Sequence, residues 1–323
     1  MIDVYLYGMI SPSTVHVLRD DFSFPRPNAY AEIAKTLPSI GGEAANSAII
    51  LAKFGLTTKL DGNWIRPEHA AHVLGLLTPF GIDLTRLTFD ACGGTLELVI
   101  SDQSTRTVFG HYATFHAGPR QWNEPRPEDI AEARMVCIDP YFREQSVRAA
   151  ELCVEARKPY VTLDSRFQDF MAQEAAAVVI SHELRDQAYR GVDHGELFES
   201  YLVHCRGLVI FTFGERELWF ARRGNARQTF RPFSIKPVDT AGAGDAFRGA
   251  IAYGLLNQWS DHATVEFASA VAACVCQTTP HTLQAPDLAG VKAFLRAAQA
   301  PQSPRGDATD RAAPALRPSR GSW

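Results

Sequence analysis

The stretch that decides the fold is Val238-Asp239-Thr240-Ala241-Gly242-Ala243-Gly244-Asp245-Ala246-Phe247-Arg248-Gly249. Glycines alternate with alanines in its middle, and apolar residues at helical spacing continue from Phe247 to Leu255. The pattern predicts a tight turn, free of bulky side chains, that leads directly into a buried helix. Such a turn presents consecutive backbone N–H groups at a helix N-terminus, where the helix dipole favours a bound anion.

Asp245 lies in the first turn of this predicted helix. Its carboxylate would face the group to which a bound anion is attached. A phosphate site beside a carboxylate base is what phosphoryl transfer to a hydroxyl requires. A structural interpretation competes with this one, because small residues allow close helix packing and an N-terminal aspartate complements the helix dipole. The turn taken alone leaves both interpretations open.

The spacing of the turn excludes two common nucleotide-binding motifs. A Walker loop ends in Gly-Lys-Ser or Gly-Lys-Thr, whereas residues 244–246 are Gly-Asp-Ala. The dinucleotide fingerprint requires a third small residue three places after its second glycine, and Phe247 occupies that place. An anion bound at this turn would therefore be held by another kind of motif.

Two segments resemble the signatures of the ribokinase-like (PfkB) carbohydrate kinases. Residues 239–247 resemble the C-terminal signature of that family. The segment Gly41-Gly42-Glu43-Ala44-Ala45-Asn46-Ser47-Ala48 resembles its Gly-Gly-x-x-x-Asn signature, and Leu51-Ala52-Lys53-Phe54-Gly55 continues the helix that follows. The two signatures stand in the family's order, and the resemblance covers about residues 2 to 298.

The resemblance implies a role for several residues of this chain. Asp245 would be the catalytic base that takes the proton of the acceptor hydroxyl. The implied anion-hole residues are Ala241, Gly242, Ala243 and Gly244. The implied acceptor-binding residues are Gly41, Gly42, Asn46 and Ser13. The implied nucleotide-binding residues are Thr212, Gly214, Ala268 and Ala272.

The chain departs from the family pattern at three places. Ser13 stands where the family has a sugar-binding aspartate, so the acceptor is less hydroxyl-rich or is held differently. The family's Asn-x-x-Glu element, which organises magnesium, is replaced by His182 and Arg185, and Glu183 between them is a weak metal candidate. The glycine expected within 277–281 is missing, which leaves open whether a monovalent cation such as K⁺ binds near Asp239.

The remaining elements predict an α/β fold with a mainly parallel central sheet and helices on both faces. Strands and helices alternate regularly from Pro125 onward, and each strand-to-strand crossover is long enough for a helix. Asp139 and Asp164 each follow a predicted strand, which places them near the ligand-binding edge of such a sheet. Two antiparallel strands, Glu217–Ala221 and Gln228–Phe230, are expected at one edge.

A small β lid is expected to interrupt this order. It would be formed by about residues 12–38 and 93–116, where strands 95–100 and 105–109 flank a polar turn. The resemblance implies that the lid closes over the acceptor and makes a homodimer. We expect the kinase domain to span residues 1–298 and residues 299–323, rich in Pro, Arg, Ala, Gly and Ser, to be a disordered tail.

Composition favours a cytoplasmic globular protein. The chain has 323 residues and a formal net charge of −4, without the basic excess of a nucleic-acid-binding protein. No apolar run approaches the roughly 18 residues of a membrane span, and the first residues do not resemble a signal peptide. The six cysteines are scattered and lack zinc-site spacing.

These observations lead to one functional prediction and two alternatives. We expect a kinase that uses ATP and Mg²⁺ to phosphorylate a hydroxyl of a sugar or sugar-like molecule. A nucleoside kinase of the same family is the first alternative. The second is a nonenzymatic sugar or nucleotide sensor, suggested by the altered elements at Ser13 and at His182 to Arg185. Retention of Asp245 argues against the sensor, because a protein that only binds has no need of a base.

Overall fold

The computed structural model describes residues 1–102 and 106–299. Its larger sheet has eight strands, and six adjacent strands of this sheet are parallel to one another. Two antiparallel strands complete one edge. In spatial order the strands are β12 (Gln228–Phe230), β11 (Arg216–Ala221), β10 (Leu208–Phe213), β9 (Ala177–Ile180), β8 (Tyr160–Leu163), β7 (Ala133–Ile138), β1 (Ile2–Gly8) and β4 (Thr58–Gly62).

The strands of this sheet are buried on both sides, because helices cover both of its faces. In β1, Val4 and Leu6 pack into one hydrophobic cluster, whereas Tyr5 and Tyr7 pack into another. The first cluster contains residues of α1 (Glu43–Lys53), α9 (Ala243–Leu256) and α10 (Asp261–Val275). The opposite face is covered by α5 (Glu144–Glu155) and α8 (His194–His204). The predicted mainly parallel sheet with helices on both faces is confirmed.

The remaining helices lie between these elements or at the end of the described chain. They are α2 (Ala70–Leu77), α3 (Tyr112–Ala117), α4 (Pro127–Glu132), α6 (Phe170–Glu174), α7 (His182–Ala188), α11 (His281–Gln284) and α12 (Leu288–Gln299). None of the helices in the described ranges is both long and apolar enough to cross a membrane.

A second sheet of four strands stands beside the larger one. Its order is β3 (Ile33–Gly41), β2 (Ser11–Leu18), β5 (Glu97–Ser101) and β6 (Arg106–Gly110). The β2–β5 pair is parallel and the other pairs are antiparallel. These strands lie mostly within the ranges expected for the lid. The expected hairpin turn falls partly on residues 103–105, and the expected tail, apart from Gln299, on residues 300–323; both segments lie outside the described residues.

The second sheet also positions the first signature. Strand β3 ends at Gly41, and α1 begins two residues later at Glu43. The chain thus passes from the small sheet directly into a helix packed on the large sheet. The Gly41-Gly42 pair lies at the junction of the two sheets, where a ligand can contact both.

The centre of the large sheet is expected to dominate stability. Ile210 of β10 is fully buried in the main hydrophobic cluster. We predict that Ile210→Ala lowers the free energy of unfolding by about 2–5 kcal/mol, because it removes buried methyl groups and leaves a cavity. Val203→Ala is the matched control, since Val203 of α8 is 66% exposed, and it should change stability by about 0.5 kcal/mol or less. Equal shifts of the urea midpoint in both variants would contradict this assignment of the core.

Candidate active site

Both signatures form the N-terminus of a helix, and glycine precedes each helix for a steric reason. Gly42 precedes α1 with φ of 93°, and Gly242 precedes α9 with φ of 66°, values that side-chain-bearing residues rarely adopt. A Cβ on Gly42 would also collide with the Met9 carbonyl. The glycines therefore allow two helix N-termini to approach the same cleft, which faces the ends of β1 and β7.

The two signatures are joined by hydrogen bonds. Asn46 Nδ2 donates to Asp245 Oδ2 at 2.8 Å, and Ser47 Oγ donates to the Asp245 backbone oxygen at 2.9 Å. Thr282 Oγ1 of α11 donates to Asn46 Oδ1 at 2.7 Å and so fixes the orientation of the amide. Asn46 is only 2% exposed. Its side chain holds the Asp245 carboxylate in place at the start of α9.

A buried ion pair lies beneath Asp245. The guanidinium of Arg248, one helical turn further along α9, pairs with the Asp139 carboxylate, and the two residues are at most 1% exposed. Arg248 also donates to Ser47 Oγ, at 3.0 Å from Nη2. Asp139 Oδ2 accepts from the Met9 backbone N–H at 2.7 Å. The pair thus ties α9 to α1, to the end of β7 and to the loop after β1.

Burial sets the protonation chemistry of this cleft. Burial raises the pKa of Asp245 above its ordinary value of 3.8, whereas Arg248 and the Asn46 hydrogen bond act to lower it. Asp139 adds a repulsion that raises it further. The pKa of Glu43, at the start of α1, is raised well above its usual range by burial and by the charges of Asp139 and Asp245. A carboxylate with a raised pKa is a stronger base than an exposed one, as proton abstraction requires.

The turn before α9 is held from within by Asp239. Its carboxylate accepts from the Ala241 N–H at 2.9 Å and from Thr279 Oγ1 at 3.3 Å. The Ala241 N–H therefore stabilises the turn through its hydrogen bond to Asp239 and is not free to bind an anion. This corrects its expected place in the anion hole.

Gly244 is exposed, and a Cβ there would meet no described atom within 4 Å. The open side of the turn thus lies at Gly244, in the first turn of α9, where N–H groups lack helical partners. The Ala243 N–H donates to the Thr240 backbone oxygen at 3.5 Å, and a Cβ on Gly242 would contact His281 and Thr282.

The expected nucleotide-binding residues separate into two groups. Thr212 is the penultimate residue of β10 and is half-buried, and Gly214 follows the strand, exposed, with φ of 64°. Ala272 of α10 is half-buried at the edge of the main cluster. Ala268 is fully buried in that cluster, so the structure places it in the core, where it cannot contact a ligand. This corrects its expected place in the nucleotide site, which the family resemblance implied.

The candidate metal residue does not lie among other metal ligands. Glu183 is exposed and pairs with its neighbour His182 at 3.2 Å. Arg185, on the same helix, is buried and donates to the Thr212 backbone oxygen at 2.6 Å, so it supports the end of β10. Asp164 binds Ser181 through both carboxylate oxygens. Across the described ranges, no three His, Cys, Asp or Glu side chains are grouped to hold a metal ion.

A carboxylate that the sequence did not reveal lies beside Ser13 and Gly41, two of the expected acceptor-binding residues. Ser13 of β2 is aligned with Glu97 of β5 in the parallel pair and is 1% exposed. The Glu97 carboxylate lies against Gly41, because a Cβ on Gly41 would collide with it, and it accepts from the Tyr112 hydroxyl. The first loop lacks an aspartate, but the neighbouring strand supplies a carboxylate nearby.

Arg248 and Glu97 were therefore missed for different reasons. Arg248 is a charged residue within an apolar helix stripe, and such a residue needs a buried partner, so its sequence position could have predicted a role. Glu97 comes next to Ser13 only through the pairing of β2 with β5. Such long-range strand pairing leaves no local signal in the sequence.

Comparison with known proteins gives relatives along most of the chain. The model of the pfkB family carbohydrate kinases matches residues 19–287. The 5-dehydro-2-deoxygluconokinase of Bacillus licheniformis is 20% identical over 286 residues, which cover 80% of this chain and 87% of that protein. The structure of a ribokinase from Giardia lamblia superposes with a TM-score of 0.76 at 16% identity, over 92% of this chain and 100% of the other.

A third comparison concerns a relative with bound ligands. The ribokinase of Arabidopsis thaliana, solved with ribose and ATP, superposes with a TM-score of 0.72 at 17% identity, over 92% of this chain and 99% of the other. At these identities the solved structures establish the fold, whereas the family model spans both signatures and the cleft between them. The chain belongs to the pfkB family of carbohydrate kinases.

Proposed function

We propose that this protein transfers the γ-phosphate of ATP to a hydroxyl of a sugar or sugar-like acceptor, with Asp245 as the base. The observation that carries the proposal is the hydrogen bond between Asn46 and Asp245, which joins the two signatures at one cleft. A carboxylate with a raised pKa at the N-terminus of a helix combines a proton acceptor with an anion site.

The reaction follows from this geometry. The acceptor hydroxyl lies against Asp245, whose orientation is fixed by Asn46. As the hydroxyl oxygen attacks the γ-phosphorus in line, its proton passes to the Asp245 carboxylate, the bond from this phosphorus to the β–γ bridging oxygen breaks, and ADP leaves. Negative charge on the transferred group is stabilised by the backbone N–H groups of Gly242, Ala243 and Gly244 and by the dipole of α9. Product release then returns the proton to solvent.

The cofactor assignment is part of this proposal. Kinases of the ribokinase family use ATP, and the ATP complex of the Arabidopsis ribokinase supports ATP as the donor. Because the described side chains do not form a three-ligand metal group, Mg²⁺ would be held chiefly by the phosphates and water. When bound, magnesium neutralises phosphate charge. Asp239 is also the candidate ligand of K⁺. Both of its carboxylate oxygens already accept hydrogen bonds from the chain, so Asp239 is better suited to stabilising the turn than to binding a cation.

The acceptor is proposed to be a sugar or sugar derivative that lies between Asn46, the Gly41-Gly42 junction and Ser13. The family of the chain supports this class, and so do the relatives named as kinases of a deoxygluconate. We place the reaction in the cytoplasm, where ATP is abundant. A sensor without turnover is a weaker proposal, since the Asn46–Asp245 arrangement serves no purpose in binding alone.

We further propose a homodimer formed through the second sheet. The outer side of this sheet exposes large apolar side chains that would be covered by a partner. Among them are Leu98 at 38% and Phe109 at 48% exposure, which lie opposite each other in the β5–β6 pair and therefore share one side of the sheet. Sedimentation should give a dimer for the wild type and a monomer for Phe109→Asp. A wild-type monomer at micromolar concentration would contradict this assembly.

Asp245→Asn tests the base directly. We predict that it lowers kcat by about 100-fold to 10,000-fold, because the amide cannot accept the proton, while ATP still binds. ADP release should be measured against a panel of sugars, polyols and nucleosides, which also separates the carbohydrate from the nucleoside alternative. Asp193→Asn, at the exposed start of α8, is the matched control and should retain wild-type turnover. Binding of ATP and sugar with no turnover in the wild type would support the sensor instead.

The pH dependence tests the charge environment of the base. The folded pKa of Asp245 is raised, so kcat/KM should fall with decreasing pH through a midpoint above the ordinary value of about 4. Arg248→Met removes a cation that lowers this pKa and should move the acidic limb to higher pH. The double variant Arg248→Met with Asp139→Asn removes both opposing charges. The acidic limb of its pH profile should therefore stay near that of the wild type. An unmoved limb in the single variant would contradict this role of Arg248.

A further inference from the structure

We propose that His281 is a positioning residue that holds the Asn46 side-chain amide as a hydrogen-bond donor toward Asp245. The inference rests on the proposed role of Asp245 as the base and adds a residue that acts through Asn46. Its basis is a series of hydrogen bonds that runs from the second sheet to the base through buried side chains. The members of the series are Ser39, His281, Thr282, Asn46 and Asp245.

The series is continuous from one end to the other. Ser39 Oγ lies 3.1 Å from His281 Nε2, and His281 Nδ1 lies 3.2 Å from Thr282 Oγ1. From there Thr282 Oγ1 donates to Asn46 Oδ1 at 2.7 Å. Asn46 Nδ2 donates to Asp245 Oδ2 at 2.8 Å. The four side chains before Asp245 are each at most 3% exposed, so little water competes for these bonds.

The direction of each hydrogen bond follows from the chemistry of the groups. An ionised carboxylate only accepts, so the Asn46 amide turns its NH₂ group toward Asp245 and its oxygen toward Thr282. The single hydroxyl proton of Thr282 is therefore used on Asn46, and the Thr282 oxygen accepts from His281 Nδ1. Burial lowers the pKa of His281 to about 4, so the ring is neutral and carries its one proton on Nδ1. Nε2 then accepts from the Ser39 hydroxyl, and every donor points toward the base.

This direction matters for the protonation state of Asp245. The NH₂ group of the amide stabilises the ionised carboxylate, whereas an amide turned by half a rotation would present its oxygen and stabilise the protonated acid. Because His281 donates to Thr282, the Thr282 hydroxyl proton points away from the ring and holds the amide oxygen on its own side. His281 thereby favours the form of Asp245 that can accept a proton.

The ring of His281 is itself fixed by three parts of the fold. Ser39, its partner at Nε2, belongs to β3 of the second sheet. His281 begins α11, and Lys53 of α1 donates to the backbone oxygens of residues 283 and 285 at 2.9 and 2.5 Å. A Cβ on Gly242 would lie 3.0 Å from His281 Nδ1, so the ring also packs against the turn before α9. The ring therefore connects the second sheet, α11 and the start of α9.

Two substitutions of nearly the same shape separate positioning from packing. In His281→Asn the amide nitrogen can replace Nδ1 as the donor to Thr282, whereas His281→Leu leaves no donor. We expect His281→Leu to lower kcat by about 10-fold to 100-fold with an unchanged KM for ATP, and His281→Asn to stay within about 3-fold of the wild type. His204→Leu, at the exposed end of α8, is the matched control and should retain wild-type kcat. Equal losses of kcat in the Leu and Asn variants would overturn the inference.

Two further readouts respond to the amide and not to packing. The acidic limb of kcat/KM should move to higher pH by about half a unit in His281→Leu, since the bond from Asn46 acts to lower the pKa of Asp245. In an Asn46→Ala background, His281→Leu should cause no further loss of kcat, because its effect passes through the amide. An unmoved limb or a further loss of the same size would overturn the inference. The charged groups that act on Asp245 are the same in all these variants; they are Arg248, Asp139, Arg106, Glu43 and Glu97.

Thr282→Val provides a second route if the His281 variants fold poorly. It removes the hydroxyl that joins the ring to Asn46, so we expect the same loss of kcat and the same shift of the acidic limb. Wild-type values in Thr282→Val would contradict the role of His281.

Asp245→Asn, measured in parallel, separates this inference from the proposed function. Wild-type kcat in Asp245→Asn would overturn both, whereas a large loss there with wild-type kcat in His281→Leu would overturn only the role of His281. The titration of Asp245 can also be followed without turnover, through the Asn46 side-chain NMR signals of protein labelled with ¹⁵N-asparagine. Its midpoint should be higher in His281→Leu than in the wild type, and equal midpoints would overturn the inference even where no acceptor reacts.

Discussion

The buried ion pair between Arg248 and Asp139 is the interaction on which the cleft depends. A guanidinium removed from water is costly unless it is paired, and this one is paired with a carboxylate that also accepts a backbone N–H. Because Arg248 also donates to Ser47, the pair links α9 to α1. Two further hydrogen bonds between these helices run from Asn46 and Ser47 to Asp245. Asp245, the proposed base, is therefore positioned beside a charged pair that is itself buried.

The architecture explains why such a core can exist at this place. The carboxyl ends of parallel strands and the N-termini of two helices meet there, so backbone N–H groups and helix dipoles supply partial positive charge. Glycines at positive φ let both helices start close to the strand ends. In the proposed reaction these dipoles would stabilise the phosphate of the donor. The second sheet adds Glu97 and Ser13, which only a fold with two sheets brings to this site.

The parts of the fold with local signals could be predicted from the sequence. The alternation of strands and helices gave the parallel sheet, and the two glycine-rich signatures gave the helix N-termini with Asn46 and Asp245. The roles of Ala241 and Ala268 were wrong because spacing does not show whether an N–H is already used or a side chain is in the core. Glu97 could not be found, since its partner strand is distant in the sequence and only tertiary structure joins them.

The central claim is that phosphate moves from ATP to a hydroxyl held at the start of α9. Phosphorus NMR of the protein with ATP, Mg²⁺ and an acceptor that it turns over follows this transfer directly. We expect a new phosphomonoester resonance that grows in step with ADP, with little inorganic phosphate, because the cleft excludes water from the reaction. ADP accompanied only by inorganic phosphate, or unchanged ATP with every acceptor tested, would contradict the account.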